Sequence, residues 1–355
     1  MRIIIASGNL SKYFHLKEFA NALEDLGVMC KLVRESDYEG GFPSKKISEW
    51  FSTKKFKKLI DEFKPDAVFV DRQGHFGSHT IDAGIPLFVL LRGHYWSEVE
   101  WAKKTLYKDP LMRTVIWFRN RIAEKCFREA TAVIPICRYL EKIVKEHYPK
   151  QNTHVFFEGI NSSRWYPVKP IKLEHPCVGL LQTANWWGKA KEMLTLKKVL
   201  EAMPNVNFYW VGEMGPYTGK ILSELDTYKN FHWLGPLKYP DQVREYLSGI
   251  DIYALVTGMD TAPLTLKEAQ LMEKPVIATD VGGVREIMKD DKTGFLVNEG
   301  DHLAWINKLS ILLKDRKLAE MMGKEGRKFV IENFSWNIIA TNFLNIVKLY
   351  TNSEK

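Results

Sequence analysis

The sequence predicts an α/β chain built as two tandem domains with parallel sheets, and three observations carry that prediction. Short β-branched or aromatic runs alternate with longer helical patterns along the whole length. At 355 residues the chain exceeds the size at which a single hydrophobic core keeps growing, and 45% hydrophobic residues is ample for two cores. Near the middle, EGINSSRWYPVKPIKLEHP combines Gly, Asn, Ser and Pro with little periodicity, the composition of an interdomain link.

In the first half the strand-like runs are RIIIAS, VMCKLV, DAVFVD, PLFVLLR, TAVIPI and HVFFEG. After the first of them Leu16, Phe19, Ala20 and Leu23 fall on one helical face, and Gly27 stands where a C-terminal cap belongs, which makes a strand, helix, strand unit. The second half repeats the plan with CVGLLQ, NFYWVG, FHWLG, DIYALV, PVIAT and GFLV, interleaved with helices such as the one marked by Leu196, Val199, Leu200 and Met203. Strands separated by helices imply parallel sheets, so two Rossmann-like domains are expected, residues 1–165 and 166–333, with the boundary near Tyr166. Residues 334–355 read as a final helix whose face of Trp336, Ile339, Phe343, Ile346 and Val347 needs a partner, expected in the first domain.

The net charge of +8 and pI near 9.0 invite phosphorylated ligands, anionic membrane or nucleic acid. No zinc-finger spacing, aromatic RNP-type strand or polybasic tail accompanies that charge, so nucleic acid is not expected. Cys30, Cys126, Cys137 and Cys177 lie far apart without CxxC spacing; neither a zinc site nor a disulfide framework is indicated, and a reducing, cytoplasmic setting fits. No run approaches the ~18 apolar residues of a membrane span, which leaves a soluble or peripheral protein. Between Tyr95 and Ala130, Trp96, Trp101, Tyr107, Trp117 and Phe118 stand among Lys103, Lys104, Lys108, Arg113, Arg119 and Arg121. That mixture suits either an interfacial helix on anionic lipid or ordinary packing with a basic outer face.

The most constraining stretch is TAPLTLK between Asp260 and Glu268. IDIYALV is a buried-strand run, Thr257 and Gly258 break it, and Pro263 is placed to open a helix through Met272. The early amides of that helix, at Leu264, Thr265 and Leu266, would point from its positive end and suit a diphosphate. Carboxylates beside an anion would repel it, so Asp260 and Glu268 read as acceptors for neutral hydroxyls of sugar and ribose; a loop acid and a solvated helix residue are the plainer alternative. Ligands of open α/β sheets bind beyond the carboxyl ends of the strands. Other candidates there are Gly212 in the GEMGP turn, the Asp280 to Gly283 turn, and Lys189 and Lys191, whose charge at a helix start a polyanion would offset. In the first domain, Arg92 and His94 follow a strand, and Asn9 would lie near the same cleft. No DxD triplet follows any strand, so no catalytic metal is expected.

Together these segments resemble the retaining glycosyltransferases of family 4 (glycosyl transferases group 1), which have the GT-B fold with its interdomain cleft. FEGINSSRWYP resembles the signature at the family's domain junction, and WVGEMGP, HWLG, EAQLMEKPVIATDVGGVREI and TGFLV follow in the family's order. The resemblance implies that a nucleoside-diphosphate sugar is the donor, with no cofactor and no metal, and that a glycan or lipid-linked hydroxyl is the acceptor. It also implies that Glu268 holds the ribose, Asp260 contacts the transferring sugar, the amides at Leu264 and Thr265 receive the diphosphate, and Lys189 neutralises the leaving group. The chain departs from the family in three places. Asp260 stands where a Glu is usual, no Arg shortly precedes Lys189, and Arg92-Gly93 replaces His-Gly with His94 one position on. These departures keep open a catalytically degenerate sugar-nucleotide-binding protein; a sugar-nucleotide epimerase is the third possibility, against which the order of motifs argues.

Overall fold

The computed structural model describes residues 1–8, 10–38, 52–105 and 109–351. The chain forms two compact units, Met1–Ile160 with Trp336–Lys355, and Asn161–Ser335.

Unit 1 holds a parallel five-stranded sheet of β1 (Arg2–Ser7), β2 (Met29–Arg34), β3 (Ala67–Val70), β4 (Leu87–Leu91) and β5 (Ala132–Pro135), in the order β2-β1-β3-β4-β5. Every residue of β3, β4 and β5 is buried, because helices cover both faces and the strands must be apolar on both. Helix Leu10–Glu24 follows β1; Leu16, Phe19 and Leu23 are buried, and Gly27 at φ +80° turns the chain back toward β2. Phe19 is the hub of an aromatic core, its ring 5.2 Å from Phe69, 5.1 Å from Phe156 and 5.3 Å from Phe343. Phe343 belongs to helix Trp336–Thr351, which packs on helix Leu10–Glu24. The indole N–H of Trp336 donates to Glu18 at 3.0 Å, and its ring fills the place a Cβ on Gly159 would occupy.

The run HVFFEG is not a strand. Its His154 and Phe156 amides donate to the Val133 and Pro135 carbonyls at 3.2 and 2.8 Å, so it follows β5 as irregular extended chain and sends Phe156 into the aromatic core.

Unit 2 holds a parallel six-stranded sheet of β6 (Cys177–Leu181), β7 (Asn207–Val211), β8 (Phe231–Gly235), β9 (Ile252–Leu255), β10 (Val276–Thr279) and β11 (Gly294–Val297). The order β11-β10-β9-β6-β7-β8 reverses direction between β6 and β9, which makes that pair the topological switch point. All six runs expected in this half are strands. Trp165 is 1% exposed, and its carbonyl accepts from Arg327 at 2.9 Å. The segment Asn161–Trp165 therefore folds with unit 2, a few residues before the boundary expected at Tyr166.

No helix among the described residues is long and apolar enough to cross a membrane.

Candidate active site

At the switch point of unit 2 a buried amide fastens two strands. Gln182, just beyond β6, donates from Nε2 to the Val256 carbonyl at 2.7 Å and accepts the Val256 N–H on Oε1 at 3.1 Å. An amide side chain offers donor and acceptor together, so one residue closes both backbone groups beyond the paired part of the strands. Past this clasp the two loops meet. Gly258 N donates to the Lys189 carbonyl at 3.0 Å, and a Cβ on Gly258 would lie 2.4 Å from the Gly188 carbonyl oxygen.

That approach sets Lys189 on Asp260, with Nζ 2.5 Å from Oδ2. The other carboxylate oxygen accepts the Thr261 N–H at 2.9 Å, and the Asp260 carbonyl accepts the Gly283 N–H at 3.1 Å. Asp260 thus ties together the loops that follow β6, β9 and β10. The side chains of Lys189 and Asp260 are 28% and 11% exposed, so the pair is shielded more than a surface salt bridge.

Pro263 does not open the next helix. Its ψ of 118° is extended, so it stands at the cap position, and the helix runs Leu264–Leu271 rather than from Pro263 to Met272. Pro263 offers no side-chain cap to this helix start, where the amides of Leu264, Thr265 and Leu266 lie. Thr265 Oγ1 accepts from the Tyr253 hydroxyl at 2.7 Å. Glu268, one turn further along, is 2% exposed. Burial holds the Tyr253 phenol well above its ordinary pKa, and the carboxylates of Glu268 and Asp260 push it the same way. Tyr253 therefore stays protonated, its hydroxyl fixed on Thr265.

Lys191 pairs instead with Glu299 at 3.2 Å, both side chains nearly half exposed. Gly212 has a packing reason of its own, since a Cβ there would lie 2.2 Å from the Gln182 carbonyl oxygen. In the Asp280 to Gly283 turn, Arg285 binds Asp280 through Nε at 2.9 Å and through a terminal guanidinium nitrogen. The helix that follows, Val284–Ile287, is a single turn.

In unit 1 the corresponding reversal lies between β1 and β3, where Gly8 N donates to Asp71 Oδ1 at 2.7 Å. Arg92, just past β4, lies between two buried acids, 3.6 Å from Asp71 and 3.2 Å from Glu158. Burial raises the Asp71 carboxyl above its usual range, against the pull of the Gly8 amide and Arg92. His94 caps helix Tyr95–Thr105: its Nδ1 accepts the Ser97 N–H at 3.2 Å, which places the proton of the neutral ring on Nε2. Burial, aided by His147, lowers its pKa. Asn9 lies outside the described residues. A cavity of about 410 Å³ in this unit is walled by Arg72, His75, Glu98, Arg119 and Asn120 among others, and burial raises the Glu98 carboxyl.

Of the residues singled out in the sequence, unit 2 brings together Lys189, Asp260, Leu264, Thr265 and Glu268, while Arg92 and His94 belong to unit 1. Gln182, Tyr253, Asp71 and Glu158 were not singled out. Gln182 and Asp71 carry a readable signal, each being the first polar residue after a buried strand beside a switch point. Tyr253 lies inside an apolar run and gives none. Among the described residues His175, Cys177 and Asp251 come close enough to share a metal, at the amino end of β6 and so at the opposite end of the strand from Gln182. Asp251 Oδ2 already accepts the Cys177 N–H at 2.8 Å, and burial with Asp251 pushes the Cys177 thiol up to about 12, away from the thiolate a metal needs.

Residues 183–329, which contain Lys189, Tyr253, Asp260, Leu264, Thr265 and Glu268, match the family described as glycosyl transferases group 1. Unit 2 carries a group 1 glycosyltransferase domain. The chain is 32% identical over 189 residues to sulfoquinovosyl transferase SQD2 of Arabidopsis thaliana, a match covering 52% of this chain and 34% of that protein. It is 24% identical over 251 residues to alpha-maltose-1-phosphate synthase of Mycolicibacterium smegmatis, covering 62% and 63% respectively. The chain thus spans about a third of the first relative's length and under two thirds of the second's. Among solved structures, Anabaena HepE in complex with UDP and glucose superposes with a TM-score of 0.67 at 15% identity, over 98% of this chain and 99% of that one. Two open parallel sheets and that likeness give the chain its fold class, GT-B.

Proposed function

We propose that this protein is a retaining, metal-independent glycosyltransferase of the cytoplasm that moves a sugar from a nucleoside-diphosphate sugar to a hydroxyl acceptor, a glycan that is free or lipid-linked. The observation that carries the reading is the convergence of Lys189, Asp260, Glu268 and the start of helix Leu264–Leu271 at the switch point of unit 2. The amides of Leu264 and Thr265 suit a diphosphate, and Lys189 adds a cation beside it. UDP is the first nucleotide to try, because HepE was solved with UDP and glucose.

As the anomeric C–O bond to the diphosphate breaks, negative charge grows on phosphate and positive charge on the sugar ring. Lys189 and the helix amides stabilise the former, and the Asp260 carboxylate favours the latter. The acceptor oxygen bonds to the anomeric carbon on the face the diphosphate leaves, and its proton passes to a departing phosphate oxygen. Glu268, buried one turn deeper, would accept ribose hydroxyls. Arg92, held between Asp71 and Glu158 in unit 1, is the residue we assign to orienting the acceptor. Four cysteines without a disulfide among the described residues support a reducing compartment.

The test is a thermal-shift screen with UDP, GDP, ADP, CMP and dTDP and their sugars, with and without magnesium or manganese. A selective rise in melting temperature that does not depend on metal is expected. Glu268→Gln should weaken nucleotide binding about tenfold by calorimetry, the loss of one charge-assisted hydrogen bond. Binding without any donor hydrolysis would favour a sugar-nucleotide-binding protein, and no shift with any nucleotide would sink the donor site itself.

A further inference from the structure

Helix Pro110–Glu129 of unit 1 has two unlike faces. Val115, Ile116, Ala123, Cys126 and Phe127 are buried against the unit. The opposite arc carries Arg113, Trp117, Phe118, Arg121 and Arg128, all exposed, with Trp117 at 51% and Phe118 at 45%. The two rings meet edge to face at 4.9 Å, and the Arg121 guanidinium lies 4.8 Å from the Trp117 ring centre. Single exposed hydrophobics are ordinary; an adjacent Trp and Phe interleaved with arginines on one helical arc is a patterned surface.

We propose that this outer arc docks on the surface of an anionic lipid bilayer. Charge decides the occupant. The helix carries Arg113, Arg119, Arg121, Lys125 and Arg128 against Glu124 and Glu129, on a chain of net charge +8. Indole and phenyl rings settle at the boundary between headgroups and acyl chains, and arginines beside them pair with lipid phosphates. A second copy of so basic a face would repel the first, whereas an anionic bilayer complements it.

The full chain is to be sedimented with vesicles of phosphatidylcholine, with and without phosphatidylglycerol. Binding that requires phosphatidylglycerol and weakens with added salt is expected. Trp117→Ser with Phe118→Ser should lower vesicle affinity about tenfold and Arg121→Gln about fivefold, both at unchanged melting temperature since these side chains lie on the surface. Absence of phosphatidylglycerol-dependent binding, or variants that bind as the parent does, overturns the proposal. So does a dimer in solution that the Trp117→Ser, Phe118→Ser variant dissociates, since the face would then belong to a second copy. Vesicle binding is read without donor or acceptor, so its outcome is independent of the transferase reading.

Discussion

Asp260 and Lys189 stand 71 positions apart, yet each was legible alone: the acid from its place before an apolar helix, the lysine from its place after a buried strand. Their direct bond was not legible, because it depends on the backbone approach of Gly258 to Gly188, a tertiary contact that no local pattern encodes. Losing one partner leaves the other charge shielded and poorly compensated. Asp260→Ala is therefore expected to lower stability by roughly 1–3 kcal/mol. Adding Lys189→Met should recover part of that loss, a coupling that urea denaturation of the two single variants and the double variant measures. Gly212 makes a second prediction at this scale. A Cβ there would meet backbone, the Gln182 carbonyl oxygen, which cannot swing aside as a side chain can. Gly212→Ala should cost about 1–3 kcal/mol, whereas Gly219→Ala, in helix Thr218–Leu225 with nothing near its Cβ, should stabilise by about 0.5–1 kcal/mol. Equal effects of the two alanines would refute the steric account.

Among elements, strands buried on both faces were the most readable, since their apolar runs are short and bounded by Gly, Pro and polar residues. HVFFEG satisfied the same pattern and failed. Its apolar side chains serve the aromatic core, and the pairing with β5 is an isolated bridge between Thr153, just before the run, and Val133, a distinction that composition does not make. Helix starts were less readable than helix bodies. Pro263 is compatible with the first helical position by φ alone, and only its ψ, set by the loop that Asp260 anchors, leaves it outside. The C-terminal helix is the element on which unit 1 depends most plainly. Phe343 is fully buried and meets Phe19, Phe69, Phe88 and Phe156. Phe343→Ala is expected to destabilise unit 1 by about 3–5 kcal/mol, while unit 2 keeps its own transition in calorimetry.

At the scale of the whole molecule the two units should answer differently to acid. His79, His94 and His154, all in unit 1, have pKa values lowered chiefly by burial. Folding holds them neutral, so between their folded pKa values and the ordinary 6.5 the unfolded chain binds more protons, and stability falls as pH drops below 6.5. Asp71 and Glu98 act in the opposite sense: their raised pKa values make stability fall as pH rises through windows that open at 3.8 and 4.5. Just below 6.5 the histidines should prevail, and the melting temperature of unit 1 should decline there. His94→Asn retains a capping side chain without a titrating proton and should flatten part of that decline. An unchanged slope would show that His94 contributes nothing to it.

Unit 2 is continuous from Asn161 to Ser335, whereas unit 1 is assembled from two separated stretches of chain. On the ribosome this sets an order. Residues 1–160 emerge first but must wait for Phe343 and Trp336 to close over Phe19, and meanwhile present an open aromatic face. Unit 2 can complete itself in that interval. The nascent chain is thus most exposed to misassociation and chaperone capture through its earliest residues, and a ribosome stalled before Trp336 should release a chain with a folded second unit and an unfinished first.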